Sequence, residues 1–445
     1  MVEKGLITRS IGKLDRVASL SRELRHSLSS GELVSWRRLS VAGTNTLSDR
    51  RLLWALVGIL AVARVLADLP VFMPAGADVY GFIDIGHRVL SNPGAIYPDA
   101  GAQIAQGFVF VTLYPPTQLL IAAAYALLPG SAGAIAWVAT DFVAAIAALA
   151  ILLRKIARFH PAAPPAFCLV AICFTPLFED IRLGQRGGVL MLFGVAAMAL
   201  VVSRPITSGI LAGLATALKF YPGAMVLGVH PKRQWTFVAS LLITTAAAIG
   251  VSFIPFGSPL FYLMKILLPS LTWQNSGPHD CFQNSTQLLY ARVLNGEPYG
   301  VINRDGVWHQ VAFDSLHIPL LATTLGYLTI VVVTVATIWA VWRSGAAQPY
   351  SLALCFSLGT LIPGEVFTYQ FLPMLPILLI VFMRSLQLRR FGTALALSAT
   401  LWILIASPCA LPLPSLWTIA ALAIFGLSAS RAALFRPEVD SSDHA

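Results

Sequence analysis

Asp78, Asp84 and Asp99 fall in one short stretch, GADVYGFIDIGHRVLSNPGAIYPD, of a chain with only 20 Asp and Glu in 445 positions. After Asp180 no acid occurs until Asp280, and between Asp314 and Glu438 the one acid is Glu365. A carboxylate outside any metal cluster suits general-base work, taking the proton from an attacking hydroxyl. Arg182, Gln185, Arg186, Lys219 and Arg292 are the strong donors that suit an anionic leaving group, above all a phosphate. Trp273, His279 and Tyr290 offer ring faces on which a sugar stacks and edges that hydrogen-bond it. Acid, phosphate-type donors and aromatic rings together describe group transfer from a lipid phosphate. The five Cys (168, 173, 281, 355, 409) show no metal-ligand spacing and read as small buried hydrophobes.

The elements that must carry these groups are membrane helices. The chain is 57% hydrophobic and 11% charged, with mean hydropathy +0.76, too apolar for a soluble surface. It reads as an all-α polytopic integral membrane protein; the strict alternation of a membrane β-barrel is absent. Apolar runs at 52–70, 108–129, 131–153, 162–178, 187–203, 206–230, 235–256, 318–342, 350–363, 370–383, 391–408 and 411–429 give about 11 crossings, since some runs are short or broken by proline. The net charge of +10 implies no nucleic-acid partner. Its basic residues gather at helix ends (Arg154, Lys155 and Arg158; Lys232 and Arg233; Arg384, Arg389 and Arg390; Arg431 and Arg436), which places those ends in the cytoplasm.

Three regions follow: a basic cytoplasmic segment 1–51, a transmembrane domain 52–430 with external loops 71–107 and 257–317, and a short cytoplasmic tail 431–445. In the first, Leu6, Ile7, Ile11, Leu14, Val17 and Leu24 recur at helical spacing beside Lys and Arg, predicting an amphipathic helix on the inner leaflet. Both termini are expected inside. Full crossing by both 108–129 and 131–153 would put Arg154–Arg158 outside, against the charge rule. Partial entry of 114–129, broken at Pro115–Pro116, restores it; the reading leans to partial entry and leaves the other open. Lys219 lies at the outer tip of a hairpin broken at Tyr221–Pro222. On this topology Asp78, Asp84, Glu179, Asp180, Asp280 and Glu365 share the external face with Arg182, Gln185, Arg186, Lys219 and Arg292. Structural roles compete for several of them. Asp84 can pair with His87 or Arg88, Asp78 can cap a helix, Lys219 can snorkel, and Glu179–Asp180–Arg182 can form an interfacial cluster, while Asp99 is expected to be solvated.

The ordered set of Asp78, GAIY ending at Tyr97, YPP (114–116), GQ (184–185), GILAGLATALKFYP with Lys219 and Pro222, and QNSTQLLYAR (283–292) resembles glycosyltransferase family 87, over about residues 52 to 385. The resemblance implies a GT-C-type helical bundle with its active site on extracytoplasmic loops, in the bacterial inner membrane. It implies a polyprenyl-phosphate sugar donor, most often mannose and in some members arabinofuranose, a glycolipid or glycan acceptor, and inverting transfer with no metal or other cofactor. Carried over by position, Asp78 is the catalytic base, and Lys219, Gln185, Arg186 and Arg292 bind the donor phosphate. Asp84, Tyr114, His279, Asn284, Ser285, Glu365 and Tyr369 are assigned to substrate binding. The chain departs from the family in its last external turn, IPGEVFTYQ, where Thr368 stands in place of a usual His, and at Arg186, where a small or amide residue is common. Arg186 is expected to compensate for the missing His. Two rivals use similar features, a lipid-linked sugar transporter and an oligosaccharide ligase or polymerase with a lipid-diphosphate donor.

Overall fold

In the computed structural model the described residues are 50–68, 77–105, 114–156, 163–229, 234–268, 285–297, 300–304, 307–312, 314–363, 366–388, 393–394, 396–400 and 416–436. The expected inner-leaflet helix, Trp273, His279, Asp280, Asn284, Glu365 and the tail beyond Arg436 lie outside them. The chain divides into two compact units, residues 1–56 and 57–445.

Helix α1 (Arg50–Asp68) is followed by α2 (Ala77–Ser91), α3 (Ile96–Ala105), α4 (Pro116–Ala126) and α5 (Ala132–Ile156). Then come α6 (Ala163–Cys173), α7 (Thr175–Leu183), α8 (Gly187–Leu200), α9 (Pro205–Leu218) and α10 (Trp235–Ser252). After them lie α11 (Thr286–Asn295), α12 (Pro319–Ser344), α13 (Gln348–Leu358), α14 (Met374–Gln387) and α15 (Leu416–Ser430). Among the described residues three stretches, Ala132–Arg154, Trp235–Ser252 and Pro319–Ser344, are long and apolar enough to cross a membrane, and six shorter apolar helices accompany them. Proline sets several boundaries. Pro116, Pro176, Pro205 and Pro319 open their helices, where the missing N–H is no loss and the fixed φ is already helical.

Two details refine the sequence reading. With 11 residues, α4 rises only about 16 Å, roughly half a hydrocarbon core, and it begins at the Pro115–Pro116 break. The loop before α12 is not purely irregular: β1 (Gly300–Arg304) and β2 (Val307–Val311) form an antiparallel hairpin with Ile302 opposite His309. Every other element among the described residues is helical.

Packing explains where polar groups can collect. The largest apolar cluster joins α5 and α6 to α8, α13, α14 and α15 through Leu152, Phe167, Met191, Phe356, Leu378 and Trp417. A second packs Tyr97 of α3 against Phe253, Phe256 and Tyr262. A third sets Val79, Phe82 and Ile83 of α2 against Ala122, Ala126 and Trp137 of α4 and α5. The first turn of α2 is thereby pinned beside the α7–α8 turn. That turn is where the polar groups meet.

Candidate active site

The sequence TPLFEDIRLGQRGG makes this turn for local reasons. Gly184 ends α7 at φ 70, ψ 38, and its N–H returns to the carbonyls of Asp180 and Ile181. Left-handed backbone is open to glycine without a Cβ penalty. Arg186 adopts the same region at φ 66, ψ 15, which costs a non-glycine residue on the order of 1 kcal/mol or more. Its guanidinium offsets that strain by stacking over Trp137 at 3.7 Å and Tyr125 at 4.5 Å. Trp137 in turn donates its Nε1–H to Gly184 O at 2.6 Å. The backbone between the two left-handed residues is therefore held, and Gln185 is the side chain it presents.

Gln185 is 2% exposed and engaged at both ends of its amide. Its Nε2 donates to Asp78 Oδ2 at 2.6 Å, and its Oε1 accepts from Tyr114 Oη at 2.9 Å. A flipped amide would set its oxygen against the carboxylate oxygen of Asp78, so Nε2 faces Asp78. Tyr114 is itself fixed, because its carbonyl accepts from Tyr97 Oη at 3.0 Å and its ring lies 5.0 Å from Phe82. Burial, with the nearby Tyr262 adding to it, pushes the Tyr97 phenol above its ordinary range, so it stays a donor at any physiological pH. Asp78 Oδ1 accepts no hydrogen bond from a described residue. One oxygen of the carboxylate is tied back by Gln185, which leaves the other as the acceptor a general base needs.

Lys219 closes the opposite side. It follows α9 in extended conformation, 7% exposed, and Nζ donates to Gln185 O at 2.9 Å. The ammonium also lies 5.6 Å from the Tyr114 ring and 5.5 Å from the Tyr369 ring. With three N–H donors and one used on that carbonyl, it retains capacity for an anion.

Asp78, Gln185, Lys219, Tyr114 and Tyr369, separated by up to 291 positions in sequence, thus share one site. Arg186 joins the same loop but points its guanidinium onto Trp137 and Tyr125, with Nε and Nη2 buried and unpartnered among the described residues. Asp84 is exposed on α2, six positions after Asp78 and hence on another face. Arg88 pairs with Asp99 at 3.2 Å across the surface, and Asp99 stays exposed, as a solvated acid was expected to be. Arg182 pairs with Glu179 at 2.6 Å within α7, which leaves Asp180 out of that cluster. Ser285 caps α11 by accepting from Leu288 N at 3.0 Å, and Thr286 donates to Leu361 O, tying α11 to the turn near Pro363. Arg292 is almost wholly buried in α11.

Asp141 escaped the sequence reading, and with it the pairing of Asp141 and Asp180. Asp180 and Asp141 are 1% and 0% exposed, and both point at the start of α8. Asp180 Oδ1 and Oδ2 accept from Gly187 N at 3.0 Å and Gly188 N at 3.1 Å; Asp141 Oδ1 accepts from Val189 N at 2.9 Å. Burying carboxylates costs several kcal/mol each unless hydrogen bonds replace hydration, and helix N-terminal N–H groups with their dipole do so. The packing is tight: a Cβ on Gly187 would lie 2.3 Å from Asp180 Oδ1, and one on Gly188 2.3 Å from Asp141 O.

Among known proteins, the chain is similar to two curated relatives, each named a polyprenol-phosphate-mannose-dependent alpha-(1-2)-phosphatidylinositol pentamannoside mannosyltransferase. The one from Mycolicibacterium smegmatis is 28% identical over 212 residues, 46% of this chain and 50% of the relative. The one from Mycobacterium tuberculosis is 27% identical over 203 residues, 44% and 46% respectively. The chain spans about half the length of the curated relatives it matches. No solved structure matches. The model of glycosyltransferase family 87 matches residues 112–367, which include every residue of the site except Asp78 and Tyr369, and the chain belongs to that family.

Proposed function

We propose that this protein is a membrane glycosyltransferase that moves a sugar, α-mannosyl by preference, from a polyprenyl-phosphate donor to an envelope glycolipid or glycan. Asp78 takes the proton of the acceptor hydroxyl as that oxygen bonds to the anomeric carbon. The bond from that carbon to the phosphate oxygen breaks, and polyprenyl phosphate leaves with the electron pair. Lys219, Gln185, Arg186 and Arg292 serve the phosphate, where negative charge grows. Attack opposite the leaving group inverts the anomeric centre.

The observation that carries this reading is that one residue, Gln185, takes Asp78 Oδ2 with its amide at 2.6 Å and the Lys219 ammonium with its carbonyl at 2.9 Å. The two mannosyltransferases to which the chain is similar over somewhat less than half its length support the mannosyl donor. The proposed setting is a GT-C bundle of about 11 crossings in the bacterial inner membrane, with both termini cytoplasmic and the site on the outer face. Asp84, Tyr114, His279, Asn284, Ser285, Glu365 and Tyr369 are proposed to contact sugar or acceptor, Tyr114 through its ring. No metal or cofactor enters the scheme.

The test is transfer by purified protein in detergent, with radiolabelled polyprenyl-phosphate mannose as donor and a bacterial membrane lipid extract as acceptor. A labelled glycolipid with stoichiometric release of polyprenyl phosphate is expected. Transport without transfer would point to the flippase rival.

A further inference from the structure

The geometry points to Asp141 and Asp180 as positioning residues that set the aim of Asp78 by fixing the Gln185 loop. The inference rests on the reading of Asp78 as the base.

Asp180 holds the loop on both sides of Gln185. Its carbonyl accepts from Gly184 N at 2.9 Å and from Gln185 N at 3.1 Å. Its carboxylate accepts from Gly187 N and Gly188 N. One residue therefore grips four of the five backbone N–H groups from 184 to 188. Asp141 extends the grip to Val189 from a separate helix, α5, so the loop is referenced to the membrane domain as well as to its own helix. Two links then lead to the base, from loop backbone to the Gln185 amide and from the amide to Asp78 Oδ2.

Helix capping alone does not call for this arrangement. A single Ser or Asn side chain normally caps a helix, and an exposed one suffices. Here two carboxylates from different elements, both buried, take three successive N–H groups. Glycine at 187 and 188 is required because the carboxylate of Asp180 and the backbone of Asp141 occupy the space of a Cβ. Close packing thus surrounds the loop on which the aim of the base depends. A displacement of about 1 Å at a reacting group lowers rate on the order of a hundredfold.

The test compares Asp180→Asn, Asp141→Asn and Asp78→Asn in the full chain, purified as the monodisperse fraction. The transfer assay uses polyprenyl-phosphate mannose, with deuterium exchange followed over 184–189. Asparagine at 180 keeps one acceptor and turns an amide N–H₂ toward the second backbone N–H. The expected result is a kcat at least tenfold lower in both clamp variants, with donor KM within threefold and faster exchange at 184–189. Asp180→Glu, which restores both acceptors, should recover part of the rate. A kcat within twofold of the unaltered chain in both variants, while Asp78→Asn is inactive, overturns the positioning role and leaves the base intact. Full activity in Asp78→Asn instead overturns the base itself. Failure of both clamp variants to yield monodisperse protein assigns the pair to folding and also overturns the proposal.

Discussion

Replacing Gln185 by Met removes one side chain's polar ends while nearly keeping its volume. Two hydrogen bonds vanish, the 2.6 Å bond to Asp78 and the 2.9 Å bond from Tyr114. The backbone role survives, since Gln185 N still reaches Asp180 O and Gln185 O still receives Lys219 Nζ. A hydrogen bond to a charged group contributes about 1.5–3 kcal/mol, and each 1.36 kcal/mol is a factor of ten in rate. The freed carboxylate should therefore lower kcat by about 10- to 150-fold, with donor KM changed less than about threefold because Lys219 stays in place. Tyr114→Phe removes only the neutral bond to the amide, about 0.5–1.5 kcal/mol, or about 2- to 13-fold in kcat. Because the two act in series, the double variant should be no slower than Gln185→Met alone. Steady-state kinetics on detergent-purified protein reads all three values. An unchanged kcat in Gln185→Met, or a strictly additive double variant, would refute the relay from Tyr114 through Gln185 to Asp78.

Other substitutions separate structural from chemical roles. Gly187→Ala forces a Cβ to within 2.3 Å of Asp180 Oδ1 and should cost about 1–3 kcal/mol or more, visible as a lower melting temperature and lost transfer. Arg186→Gly relieves the left-handed strain yet removes the cation from Trp137 and Tyr125. If Arg186 serves the donor phosphate, donor KM rises in Arg186→Gly and Arg186→Ala alike, and an unchanged KM in both removes it from that role. Arg88→Ala breaks an exposed pair with Asp99, and thermal unfolding should shift by no more than about 1 kcal/mol in stability.

Much of the site was legible because its members carry local signals. Asp78 is the first acid after an apolar run, Gln185 lies in the glycine-rich GQRGG, and Lys219 sits at the end of α9 just before a Tyr–Pro break. Pro115–Pro116 marked where α4 begins. Asp141 gave no such signal. It lies inside an apolar helix, 48 positions from the N–H it accepts, and only the packing of α5 beside the start of α8 reveals a role. Asp180 was visible but read with its neighbours Glu179 and Arg182, since spacing along α7 does not tell which acid turns inward. The β-hairpin at 300–311 was missed because its two strands are only five residues each within a loop of mixed polarity.

The measurement that bears most directly on the whole account is single-turnover transfer by Asp78→Asn from polyprenyl-phosphate mannose, in protein that elutes as a monodisperse peak. Asparagine keeps the shape and can still meet Gln185, but it takes up no proton. The account predicts that donor still binds while glycolipid product and free polyprenyl phosphate fall to background. Product formation at the rate of the unaltered chain would contradict it.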